Sequence, residues 1–94
     1  MCTLRIEHRV ANYDVWKQAF DSDPVGRERS GVRRYRILRS VDDRDLVMID
    51  LDFDTPSQAE ALLGAMRAVW AGPARNIIVD PQARIVEAVD AKEY

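Results

Sequence analysis

The chain has 94 residues, one cysteine, one histidine and a formal net charge of −2, so no internal disulfide staples it and it lacks the thiol pattern of a secreted scaffold. Its 14 basic and 16 acidic side chains are interspersed, which gives no electrostatic footprint for nucleic acid, and its apolar runs are too short to span a bilayer. Cys2 and His8 are the only soft ligands, too few for a structural zinc.

From Cys2 to Val10 the sequence alternates, with Leu4, Ile6, His8 and Val10 on one face and Thr3, Arg5, Glu7 and Arg9 on the other. That is the period of a strand with one dry and one polar side. After Asn12, a good N-cap, the period becomes helical. Tyr13, Trp16 and Phe20 share a face, and Asp14 sits in the positive first turn. Pro24 disfavours helical geometry in the residue before it, which predicts a stop near Ser22 and Asp23, with Gly26 to Gly31 as a charged loop.

Two strands follow, about Val32 to Ser40 and Leu46 to Asp54, around the turn Asp42-Asp43-Arg44. A three-residue loop that pairs Val41 with Asp45 sets Ile37 opposite Ile49, Tyr35 opposite Leu51, Arg36 opposite Asp50 and Arg34 opposite Asp52. A two-residue loop mixes charged and apolar residues on both faces, which a half-buried sheet resists. The odd-length loop is therefore predicted. Thr55 can cap a second helix with Pro56 at its first position. Leu62, Leu63, Met66, Val69 and Trp70 form the buried stripe of that helix, and Gly72-Pro73 ends it. Ala74 to Gln82 reads as a connector whose Ile77-Ile78-Val79 run packs down. Ala83 to Asp90 reads as the last strand, before the tail Ala91-Lys92-Glu93-Tyr94.

Two β-α-β halves around a central hairpin make a ferredoxin-like α+β domain of β-α-β-β-α-β order over residues 1–94. Both helices then cover one face of a four-stranded antiparallel sheet. The other face carries Arg5, Glu7, Arg9, Arg34, Arg36, Met48, Asp50 and Asp52, together with Val32 and Leu38. Charge of both signs at that density suits a partly hydrated contact with a second copy. Self-association is also the stability supplement open to a chain that buries only about 60–65% of its unfolded surface. A homodimer through the face holding Arg34, Arg36, Asp50 and Asp52 is expected.

The segments Arg5-Ile6-Glu7-His8, Tyr13-Asp14-Val15-Trp16-Lys17, Phe20-Asp21-Ser22-Asp23-Pro24, Gly31-Val32-Arg33-Arg34-Tyr35-Arg36, Val47-Met48-Ile49-Asp50-Leu51-Asp52-Phe53 and Ala83-Arg84-Ile85-Val86-Glu87 resemble the dimeric α+β barrel superfamily. Its members include small antibiotic-biosynthesis monooxygenases and cyclase-like actinobacterial proteins. The resemblance implies that sheets from two protomers close into a barrel, with a pocket between sheet and helices that takes an aromatic substrate. Some members oxidise polycyclic phenols with molecular oxygen and no cofactor. Others degrade haem through an Asn, Trp and His constellation. Trp70 stands on the second helix as that chemistry needs, but His8 is on the first strand and no other histidine exists, so haem chemistry is not implied here.

Few residues offer chemistry, and each has a plainer reading. His8, on the dry face of the first strand, is the candidate catalytic proton acceptor; alternatively it is a buried histidine bonded to a backbone carbonyl or to Tyr35. Trp16, Phe20, Tyr35, Met66 and Trp70 either line an aromatic-binding pocket, with Trp16, Tyr35, Met66 and Trp70 as its substrate contacts, or are core. The Arg34, Arg36, Asp50 and Asp52 quartet can bind an anion, but an Asp opposite an Arg has a lowered pKa and makes a poor general acid, so the quartet reads better as ion pairs that fix register or dimer contact. Cys2 has no partner for nucleophilic catalysis. The third strand lacks the paired aromatics of an RNA-recognition sheet, and there is no Cys-x-x-Cys or Gly-rich phosphate loop.

The functional expectation is a small-molecule-binding protein of this barrel class. It needs no cofactor or metal and acts as a monooxygenase or cyclase on an aromatic polyketide-like substrate. The alternative is a non-catalytic accessory module with no pocket, or a ligand-sensing one with its ligand at the dimer seam. The lone thiol and the absence of a signal-peptide core at the start point to the cytoplasm, and the excess of arginine over lysine is an association with high-GC bacterial coding.

Overall fold

The computed structural model describes residues 1–94. Its elements are β1 (Cys2–Val10), α1 (Tyr13–Asp21), β2 (Arg34–Arg39), β3 (Leu46–Phe53), α2 (Pro56–Ala71) and β4 (Ile78–Val86). The strands form one antiparallel sheet of order β2-β3-β1-β4, the ferredoxin-like arrangement expected from the sequence. No helix is long and apolar enough to cross a membrane.

Local chemistry sets the helix starts. The Asn12 side chain accepts the Val15 N–H at 3.1 Å. At α2 the capping is reciprocal: Thr55 Oγ1 accepts the Gln58 N–H, and Gln58 Oε1 accepts the Thr55 N–H, both at 3.3 Å. The alternate residues of β1 and β3 supply the core floor: Leu4, Ile6, Val47, Leu51 and Phe53 are fully buried, and Ile49 nearly so. Ala59, Leu62 and Leu63 of α2 close it from above. α2 lies near β1, β3 and β4, whereas α1 reaches the core through the long side chains of Tyr13, Trp16 and Phe20.

The hairpin register is the predicted one, with Arg34 opposite Asp52, Tyr35 opposite Leu51, Arg36 opposite Asp50 and Ile37 opposite Ile49. The ladder closes with the Ser40 N–H donating to the Leu46 carbonyl at 3.0 Å.

Two expectations need correction. Val32 is not on the open sheet face: β2 begins only at Arg34, and Gly31 at φ +100° turns Val32 inward against the core. The last strand is not Ala83 to Asp90 but starts five residues earlier, at Ile78, and ends at Val86. Asp80-Pro81 reads as a breaker, yet β4 is an edge strand, where a proline is tolerated at a bulge. The β1–β4 register shifts by one between Glu7 and Arg9, and Asp80 adopts φ +50° there, so the bulge absorbs the extra residue.

Candidate functional site

The gap between α1 and α2 is open. A slot of about 180 Å³ runs between them, lined by side chains that include Trp16, Phe20, Val25, Met66, Trp70 and Ile78. It exists because α1 is held off the sheet by its aromatics: Trp16 stacks between Tyr13 and Phe20 at ring separations of 5.7 and 5.3 Å. Most of its wall is apolar, and Arg27 is the one charged residue in the lining.

His8 lies beneath this slot and does not line it. It is 3% exposed, at the bulged step of the β1–β4 ladder, with its ring edge-on to Trp16 at 5.4 Å. Its Nδ1 is 3.3 Å from the Arg9 carbonyl oxygen, to which it donates in the Nδ1–H tautomer. Burial away from water holds its pKa below the ordinary value, against a smaller opposite pull from that carbonyl. The imidazole is therefore neutral at physiological pH.

A lowered histidine pKa means that the unfolded chain binds the proton more tightly than the folded one. Stability should therefore fall as pH drops below about 6.5 and level off once the folded pKa is passed. His8→Gln should remove this limb from urea-unfolding curves collected between pH 5 and 8, and an unchanged limb would mean that His8 titrates freely in the fold.

Of the sequence-derived contacts, Trp16, Met66 and Trp70 meet at the slot, and Tyr35 does not. Tyr35 is 44% exposed; it packs edge-on against Phe20 at 5.1 Å and faces a polar cleft of about 750 Å³ that also takes in Asp23, Arg33, Arg34 and Asp54. Arg27, which the sequence reading passed over, separates this cleft from the slot. Its guanidinium lies 3.8 Å from the Phe20 ring centre and 5.2 Å from that of Tyr35.

On the opposite face of the sheet, Asp50 is 7% exposed and accepts two hydrogen bonds from Arg5 at 2.9 Å each. Arg36 stands 3.6 Å away. The Arg5 guanidinium, backed by Arg36, keeps the Asp50 carboxyl below the usual carboxylate range despite its burial. Burial pushes Asp52 up, but the Thr3 hydroxyl at 2.6 Å and Arg34 Nε at 2.6 Å outweigh it, so that carboxyl too is lowered. Arg5 and Thr3 are partners that the hairpin alone does not reveal, because they arrive from β1 on the far side of β3. Beside the pairs, Leu38, Met48 and Val86 form the apolar part of a groove of about 600 Å³ with Arg5, Glu7 and Arg84. No three His, Cys, Asp or Glu side chains gather in a metal-ligating group.

No family model and no curated protein matches the chain. Solved structures do. SnoaB, described as a cofactor-independent oxygenase from Streptomyces nogalater, has a TM-score of 0.76 at 15% identity, over 96% of this chain and 94% of that one. A Nitrosomonas europaea protein provisionally described as an antibiotic biosynthesis monooxygenase has a TM-score of 0.72 at 19% identity, over 96% and 100% of the two chains. A dimeric ferredoxin-like protein from an uncultured marine organism has 0.71 at 6% identity, over 100% of each. The chain thus shares the ferredoxin-like fold of the antibiotic-biosynthesis-monooxygenase group.

Proposed function

We propose that this protein is a homodimer that binds a small, largely apolar aromatic molecule in the slot between α1 and α2 and acts on it as a cofactor-independent monooxygenase or cyclase. The observation that carries the reading is the apolar slot itself, walled by Trp16, Met66 and Trp70. Tyr35 contributes through Phe20, against which it packs. A cavity of about 150 Å³ is known to hold benzene, so about 180 Å³ takes one ring as it stands. A polycyclic, polyketide-like substrate needs α1 to shift outward, and its attachment through side chains permits that.

In this reading His8 is the proton acceptor, reached when Trp16 swings aside, and its neutral form is the competent one. Removing a proton beside a phenolic ring leaves a carbanion able to reduce molecular oxygen. A ring CH₂ plus O₂ then gives C=O plus water, with no cofactor in the balance. The sheet face with Arg34, Arg36, Asp50 and Asp52 is the proposed dimer contact, in keeping with the dimeric structure among the similar folds.

A second reading, an accessory or sensing module without chemistry, draws on the shielding of His8 by Trp16. Oxygen uptake with hydroxylated anthrones separates the two. Wild type should consume oxygen, and His8→Ala should be slower by about 10²–10⁴, the usual worth of a general base. No uptake and no converted product in either, with quenching of tryptophan fluorescence by the same compounds, would leave the sensing module.

A further inference from the structure

We propose that Arg27 makes the slot selective for aromatic anions, with the ring between the two tryptophans and a carboxylate or phenolate against the guanidinium. This rests on the reading of the slot as the ligand site and names the class of ligand that it takes.

Arg27 is the only residue that borders both the apolar slot and the polar cleft. The loop between α1 and β2 is built to hold it there. Asp23 at φ +55° and Gly26 at φ +62° curl the chain back on itself. The Arg27 N–H donates to Asp23 Oδ1 at 2.9 Å, and the Arg27 carbonyl accepts from Ser30 and Val32 at 3.2 and 3.1 Å. Its side chain is 14% exposed, with the guanidinium carbon over the Phe20 ring.

Of the five N–H donors of a guanidinium, the Phe20 carbonyl takes one, from Nη1 at 2.7 Å. The nearest carboxylate, Asp23, stands at 3.5 Å from Nη1 and borders the cleft but not the slot. A ligand in the slot therefore meets a cation with donor capacity left and no competing anion on its own side. Charge-assisted bonds to a guanidinium are roughly twice as strong as neutral ones, and the low exposure of this one limits screening by salt.

The test pairs benzoate with benzamide, near-isosteres that differ in charge. The chain has two tryptophans and both line the slot, so the indole N–H signals in NMR titrations report on that site alone. Benzoate should shift them with an affinity at least about tenfold above that of benzamide. Arg27→Gln should abolish the difference by weakening benzoate only, and Arg27→Lys should keep part of it. Equal affinities in wild type would overturn the role of Arg27 while leaving the slot as an aromatic site. Shifts from neither compound would overturn both. Because the wild-type comparison stands alone, a variant that fails to fold does not remove the test.

Discussion

Trp16→Ala should cost about 3–5 kcal/mol, the range for emptying a buried large aromatic, out of about 5–14 kcal/mol for a chain of this length. Trp16 is 6% exposed and touches three aromatic rings, those of His8, Tyr13 and Phe20, so its loss removes the spacer that holds α1 off the sheet. The urea midpoint should fall steeply. A second readout separates this from ordinary core damage. With the indole gone, the slot reaches His8 and water follows, so the pKa of the single histidine should climb back toward about 6.5, as read from its ring proton shifts. A loss of under about 1 kcal/mol with an unmoved histidine would show that neighbouring side chains fill the vacated space and keep His8 covered. The slot would then not depend on Trp16.

The reach of the sequence differs between elements for physical reasons. Register in the hairpin was legible because a slip by one residue puts Arg36 and Asp50 among the apolar side chains, and the fold keeps them out. Helix starts were legible because caps act within three residues, as Asn12 with Val15 and Thr55 with Gln58 do. The start of β4 was not, since Asp80 and Pro81 break a strand on any local rule. Only the position of β4 at the sheet edge makes a bulge there acceptable. His8 was correctly set on the dry face by period two, but its closure beneath Trp16 depends on how far α1 stands from β1, which no spacing encodes. Arg27 was hidden because a charged loop reads as solvated. What draws the side chain inward is the left-handed turn at Asp23, a residue type that tolerates such a φ without announcing it.

Asp50→Ala should weaken the proposed dimer more than any other change on the open sheet face. In one protomer the carboxylate is nearly covered while Arg5 and Arg36 remain largely in water, with side chains 54% and 69% exposed. Removing it from a lone protomer leaves two solvated arginines, a modest loss. A second sheet laid over this face changes that balance, because Arg5 and Arg36 then lose their water and would be left without an anion. Truncating one partner of such a buried pair typically costs 2–5 kcal/mol, which is at least about a 30-fold rise in dimer Kd. Sedimentation equilibrium reads this directly, with the circular dichroism of the protomer expected to persist. Val15→Ser, on the exposed side of α1, should leave the constant where it was. The same pair sets an acid limit. The Asp50 carboxyl is depressed in the folded state, so its contribution is complete above about pH 4 and is lost as pH falls through the lowered value. Wild-type dimer should therefore dissociate as the pH falls below about 4. If Asp50→Ala dimerises like wild type, the two copies do not meet on this face, and the charged sheet would need another partner to cover Leu38 and Met48.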